Sequence, residues 1–346
     1  MEKATNGVGF LRLILSAVLL LSVSSASWAQ SGKTDAPRPL AQREKVIVAF
    51  SGKIKQYGAV ILAKSLGEFD KENLDVEFAI HKPMDSFLLL TTGQVDVVGT
   101  MTSAGYFNAV AAGAEMKVVA PVGFLAGQNG VWVSRAWLKG RPYTPAMLKG
   151  QVIANVSGPG TVTDFAIQTE LLKAGLTMSD FKWKQMAVAD ILLALENGAV
   201  NFGLLLDPFP LKADTSKVMF AFPYVRDVTG GYFFGPNLLT KKRAVGEAFV
   251  RALTRTVRNY LQDYGNNPRV VAELAKELQI SEDQVRASAT SVVFPADMLI
   301  RKDLAEIMQK IYLAQPGLLN YTTLLPDERV IDRAFLRELG LPAASR

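Results

Sequence analysis

The chain of 346 residues contains no cysteine and a single histidine, His81. Those two absences remove whole classes of chemistry. Disulfides, iron–sulfur clusters, cysteine nucleophiles and the usual zinc sites all need side chains that are missing. A Ser-His-Asp triad would have to use His81, which follows a strand-like segment and precedes Lys82-Pro83, the setting of a surface loop. Charge of one sign is also scarce: Lys and Arg number 38 against 32 Asp and Glu, a net charge of +6. The charges are dispersed, without the basic stripe interleaved with aromatics that nucleic-acid binding requires. The mild positive balance suits solubility and an anionic ligand. Long hydrophobic runs are lacking too. The apolar run 13–21 is well short of the roughly 20 residues that span a bilayer, and no later stretch resembles a span. No carboxylate pair or metal constellation marks a loop, so neither metal nor cofactor is expected.

What is present begins with an export pattern. Lys3 and Arg12 precede that apolar run, and Ser27 and Ala29 are small residues at −3 and −1 before Gln30. This predicts a secretory signal peptide over 1–29, cleaved after Ala29, and export without cysteine is compatible with a periplasmic location. There is no twin arginine and no cysteine for a lipid anchor. Residues 30–44, with Ser31, Gly32, Pro37 and Pro39, read as a flexible leader.

From residue 45 short apolar runs alternate with helical spacing. Runs at 46–50, 74–78, 95–98 and 116–120 read as strands. Between them, Ala59, Leu62, Ala63 and Leu66, then 87–90 and 106–112, carry helical periodicity. The pattern restarts with strands at 151–154, 181–185 and 202–206 around helices at 161–173 and 190–196. This alternation predicts an α/β fold with largely parallel sheets. Leu88-x-Leu90-x-x-Gly93-x-Val95-Asp96 is echoed by Leu193-x-Leu195-x-x-Gly198-x-Val200-Asn201, in each case a helix ended by glycine and followed by a strand. After about residue 241 the chain reads as helices over 248–264, 268–278, 281–289, 297–314 and 327–339.

Ligands of open α/β sheets lie beyond the carboxyl ends of the strands, which selects four loops. The first is 51–57, where Ser51, Gly52, Lys53 and Tyr57 offer a hydroxyl, backbone amides, charge and an amphipathic ring; Lys53 and Lys55 read equally as solvated charges. The second is 99–103, with Thr100, Met101 and Thr102, the last also a candidate helix cap; Gly123, after the next strand, is expected on the floor. The third, Ser157-Gly158-Pro159-Gly160-Thr161-Val162, is the best anion candidate, two glycines and free amides at a helix start, but no P-loop, since no Gly-Lys-Ser/Thr follows. The fourth is Asp207-Pro208-Phe209, where a carboxylate would accept from an amine or hydroxyl, or simply start a helix. Tyr232 lies in Gly230-Gly231-Tyr232-Phe233, where an aromatic would stack on a ligand or pack.

Several stretches in order resemble a known family. They are 46–50, Ala63-x-x-x-Gly67-x-Phe69-x-x-Glu72-x-Leu74-Asp75-Val76-Glu77, Gly93-Gln94-Val95-Asp96-Val97, Ala111-Ala112-Gly113-Ala114 and Lys117-Val118-Val119. Then come 157–161, Leu171-Leu172-x-Ala174-Gly175-Leu176, 194–201 and 207–209. Together, over about 45–265, the chain is similar to the nitrate/sulfonate/taurine group of ABC-transporter substrate-binding proteins. The resemblance implies the two-lobed type II periplasmic binding fold: two α/β sheets joined by a two-strand hinge, with a C-terminal helical extension. Lobe 1 would begin at 45–128, lobe 2 would occupy 129–232, and 233–346 would return to lobe 1. The crossovers fall near 127–133 and 230–238. It also implies a monomer that holds a small anionic or zwitterionic organic solute in the cleft and delivers it, unchanged, to a permease with its ATPase. A ligand-sensor subunit would look the same. Enzymes of pyrimidine synthesis on this fold use cysteines and histidines, of which this chain has none and one.

Overall fold

The computed structural model describes residues 38–340 apart from Lys82 and 225–228. The expected signal peptide, its cleavage site after Ala29 and most of the leader lie outside the described residues. Strands among them are β1 (Glu44–Phe50), β2 (Leu74–Ile80), β3 (Val97–Met101), β4 (Lys117–Pro121), β5 (Phe124–Leu125), β6 (Gly130–Ser134), β7 (Val152–Asn155), β8 (Lys182–Gln185), β9 (Phe202–Leu205), β10 (Val218–Pro223), β11 (Gly230–Phe234) and β12 (Val292–Val293).

Two five-stranded sheets result, ordered β2-β1-β3-β11-β4 and β10-β6-β9-β7-β8. In the first, β1 runs parallel to β2 from the Glu44–Leu74 pair to the Phe50–Ile80 pair. Val46, Val48, Ala49 and Phe50 are almost fully buried, as expected of a parallel strand covered on both faces. The echoed sequence has one structure in both sheets. The helices Pro83–Thr91 and Val188–Glu196 are each followed by a glycine at positive φ, Gly93 at 75° and Gly198 at 77°, before β3 and β9. Only glycine takes that conformation freely, so the chain turns from helix to strand there.

The chain leaves the first sheet after β4, forms β5, which pairs with β12 as a separate two-stranded sheet, and returns to the first sheet between β10 and β11. All of β11 is antiparallel to β3 and β4, paired with β3 from Gly230 and with β4 from Gly231. The expected bound at 233 and the start of the expected crossover over 230–238 fall within β11.

Two of the expected C-terminal helices are shorter. Met298 sits at a φ of 56°, which no helix accommodates, so the helix expected over 297–314 starts later, as Leu304–Leu313. The one expected over 327–339 divides into Asp327–Val330 and Ala334–Arg337. Between them Ile331 is extended and bridges in parallel to Val118 of β4. Covering that sheet edge wins over continuing the helix. The helix Arg243–Tyr260 closes the first lobe: its Arg251 and Arg255 pair with the buried Glu72, and Arg255 also with Glu68.

Candidate functional site

Where β1 ends, the chain makes a loop and a short 3-10 turn, Lys55–Tyr57, before the helix Gly58–Ser65. The turn points Lys55 inward, leaving it 7% exposed. Its Nζ donates to Asp207 Oδ2 at 2.8 Å, to the Ser288 carbonyl at 3.2 Å, to Ser291 Oγ at 3.3 Å, and to Ser288 Oγ. Asp207 follows β9 of the second sheet, and the peptide bond to Pro208 is cis. The pair therefore joins the two lobes.

The surroundings hold it in place. Asn129, at the first crossover, accepts from the Asp207 amide at 2.6 Å and donates through Nδ2 to the carbonyls of Ala126 and Ser291. Ser291 Oγ donates to the Ser288 carbonyl, and Ser288 Oγ to that of Gln284. Tyr264 is buried close by; burial, and then the charge of Asp207, push its phenol pKa up. Its hydroxyl lacks a hydrogen-bond partner among the described residues.

Two pockets flank this junction. One, of about 270 Å3, is lined by Lys53, Ile54 and Lys55 from the first lobe, Asp207, Pro208, Leu211 and Lys212 from the second, and Leu278, Ile280, Gln284 and Ser288 from the C-terminal helices. The other, of about 160 Å3, lies on the crossover side between Gln128, Asn129, Asp207, Leu211 and Ser291. Concave, mostly apolar space with a few convergent polar groups is the form of a small-molecule site.

The other candidate residues fall in distinct places. Ser51 is exposed and Gly52 half-buried. Tyr57 is buried with its ring stacked on Phe50 at 5.4 Å; burial pushes its phenol pKa up, and the nearby Ser51 and Thr100 side chains oppose that shift. Loops one and two thus approach each other at this phenol. Lys53 points outward to Glu277 at 2.5 Å. Met101 is half-buried at the end of β3. Thr102 donates through both its amide and Oγ1 to the Thr229 carbonyl, and Ser103, one residue on, caps the helix Ala104–Ala111. Gly123 packs beneath β12, where a Cβ would lie 2.5 Å from Val292 and 2.7 Å from Phe294. Tyr232 is fully buried in the first lobe, edge-on to Phe249.

The glycine loop before the helix Val162–Leu172 already holds an anion, and that anion is its own. Ser157 is exposed, while Gly158 and Gly160 take positive φ. Thr161 Oγ1 donates to the Gly158 carbonyl, and Val162 is buried. The Gly160 amide donates to Asp164 Oδ2 at 2.8 Å, and Gln315 Nε2 donates to the same oxygen at 2.9 Å. The Gly160 carbonyl accepts from the Ala104 amide of the first lobe at 3.1 Å. Burial pushes the Asp164 pKa up to about 6. This loop forms a second interlobe junction, separate from Asp207.

Sequence reasoning named Asp207 but did not single out Lys55, and it passed over Asn129, Tyr264, Ser288 and Ser291. A lysine beside the first-strand loop and an aspartate after β9 carried a signal as opposite charges on two expected cleft loops. The serines carried none: Ser288 lies in a stretch read only as helix, and Ser291 just beyond it. Among the described residues no group of three or more His, Asp or Glu is placed to hold a metal, and no helix is long and apolar enough to cross a membrane.

The family described as NMT1/THI5 like matches residues 55–270. No curated protein matches the chain in sequence. Among solved structures, a putative periplasmic sulfonate-binding protein SsuA from Methylobacillus flagellatus is similar at a TM-score of 0.66 and 19% identity, over 89% of this chain and 99% of that one. The periplasmic aliphatic sulphonate binding protein SsuA from Escherichia coli gives 0.65 and 17%, over 85% and 99%. The periplasmic nitrate-binding protein NrtA from Synechocystis gives 0.63 and 12%, over 86% and 88%. At these identities the likeness is one of fold: the two-sheet α/β architecture is that of periplasmic binding proteins.

Proposed function

Since the chain belongs to the NMT1/THI5-like family, we propose that it is the solute-binding component of an ABC importer, working in the periplasm once the signal is cleaved after Ala29. It takes a small anionic or zwitterionic organic solute between its lobes and presents it, unaltered, to a permease coupled to a cytoplasmic ATPase. It acts as a monomer. The observation that carries this reading is the pocket of about 270 Å3 whose walls come from both lobes and meet at the Lys55–Asp207 pair. A solute there touches both lobes at once, so it favours the closed form by its differential affinity. The sulfonate- and nitrate-binding proteins of the same fold support the role.

In this reading the loops after β1 and β9 line the site. Ser51, Gly52, Tyr57, Thr100, Met101 and Thr102 of the first lobe and Ser157, Gly158, Gly160, Thr161 and Val162 of the second lie outside the lining of that pocket and would meet a solute only elsewhere along the cleft. Gly123 and Tyr232 act from behind by packing.

A thermal-shift screen against sulfonates, carboxylates, amino acids, pyrimidines and inorganic anions tests the function. A solute at 100 times its dissociation constant adds roughly 2.7 kcal/mol of stability, and one chemical class is expected to raise the melting temperature by several degrees. Mass spectrometry of the denatured protein then identifies what was held. An empty cleft that answers no compound, or a solute recovered chemically changed, overturns the receptor reading.

A further inference from the structure

Asp207 reaches the interlobe pocket with its charge already met from inside the protein. Lys55 Nζ has four acceptors, Asp207 Oδ2, the Ser288 carbonyl, Ser288 Oγ and Ser291 Oγ. An ammonium has three protons, so none is left for a ligand. The acceptors come from the second lobe and from the segment after the helix Glu282–Ala287, and the lysine itself from the first lobe. Swinging it aside would break contacts with both at once. Lys55 therefore occupies the place where a ligand ammonium would meet this carboxylate.

The rest of the pocket has a different bias. Lys53 is tied to Glu277. Lys212 lies over the Phe209 ring at 5.5 Å and, among the described residues, has no acidic partner. Ile54 and Leu211, from opposite lobes, are 43% and 54% exposed, and Leu278 and Ile280 complete an aliphatic wall. An uncommitted cation beside open aliphatic surface fits an anion with a hydrocarbon body.

We propose that Lys55 sets the charge selectivity of this pocket: by occupying Asp207 it shuts out solutes that bear an ammonium group there, and it leaves Lys212 to receive an anion whose aliphatic body lies on Ile54, Leu211, Leu278 and Ile280. This rests on the reading of the pocket as the solute site. Charge complementarity of this kind acts chiefly on which partner is accepted.

The test uses two probes with the same tail, n-hexanesulfonate and n-hexylammonium, titrated calorimetrically into the purified wild type, Lys55→Gln and Asp207→Asn. The wild type is expected to bind the sulfonate at least about tenfold more tightly than the ammonium. Lys55→Gln frees the carboxylate, so the preference falls by about tenfold or reverses. Asp207→Asn leaves the lysine without its counter-charge, so the sulfonate tightens while the ammonium stays excluded. This second variant carries the test if Lys55→Gln does not fold. Equal binding of both probes by the wild type, or an unchanged preference in the variants, overturns the proposal. So does binding of neither probe by the wild type. In that last case the receptor reading still stands if the solute screen yields a ligand, and falls with the proposal only if the screen is also empty.

Discussion

Two aspartates of the second lobe reach toward the first-lobe side, and they are held in opposite ways. Asp207 meets a lysine that is itself buried and fully bonded. Asp164 meets only amides: the Gly160 N–H and the Gln315 side chain share one oxygen, and the other has no partner among the described residues. The phenols of Tyr224 and Tyr312 lie within reach of its charge. Its place in the first turn of the helix Val162–Leu172 favours a negative charge by about 0.3–1 kcal/mol. Burial outweighs that, and its pKa rises to about 6. Two neutral donors and a helix terminus do not offset the desolvation of this carboxylate.

The comparison breaks most visibly at the paired aspartate. Asp207→Ala leaves the Lys55 ammonium buried without a counter-charge, a loss of about 3–5 kcal/mol in this class of pair. Urea unfolding is expected to show it, and Lys55→Met/Asp207→Leu to recover most of it, because an apolar pair removes both charges together. A single variant that loses under about 1 kcal/mol would mean that the pair opens to water in solution.

The unpaired aspartate gives the next effect, and it depends on pH. Its carboxyl titrates at about 6 in the folded protein against 3.8 in the unfolded chain. Between those values the folded state holds the proton and the unfolded state has lost it. The stabilisation is therefore full below pH 3.8 and lost as pH rises through about 6, a change of about 3 kcal/mol at about 1.4 kcal/mol per pH unit. Asp164→Asn has no such proton to lose. Its stability relative to the wild type is expected to increase by about that amount between pH 4 and pH 7, as read from paired urea midpoints. A difference that stays flat with pH would mean that Asp164 is hydrated.

Gly123 sharpens the contrast between a site residue and a packing residue. A Cβ there would lie 2.5 Å from Val292 and 2.7 Å from Phe294, whose neighbours are fixed by the β5–β12 pairing. Gly123→Ala is expected to cost about 1–3 kcal/mol by overpacking, with the solute dissociation constant unchanged. A weakened dissociation constant at unchanged stability would return Gly123 to the cleft floor.

The fold was largely legible because both sheets are written in short β-branched runs separated by glycine-ended helices, and Gly93 and Gly198 mark the same turn twice. What was not legible depends on distant partners. The final helix divides because Ile331 finds a sheet edge 213 positions earlier, at Val118. No local pattern in 327–339 records that edge. The site divides along the same line. Strand ends pointed to the loops, and Asp207 stood out beside its proline. Which lysine would turn inward could not be read from 51–57, where Lys53 and Lys55 are two positions apart with the same chemistry. The 3-10 turn decides it, and the turn is secured by Tyr57 stacking on Phe50.

Those two lysines give the smallest expected effect. Lys53 is 40% exposed and pairs with a partly exposed Glu277. In water such a pair gains little, because solvent screens it and both long side chains lose freedom, so exposed pairs contribute about 0–1 kcal/mol. Lys53→Ala is therefore expected to shift stability by less than about 1 kcal/mol, and the remaining difference to vanish in about 0.5 M salt, where the screening length is only a few ångströms. The same titration on Lys55→Met should leave its loss nearly unchanged, because salt does not reach a buried pair. If both variants respond to salt alike, the inward turn of Lys55 does not persist in solution, and the two aspartates of the second lobe differ less than their surroundings imply.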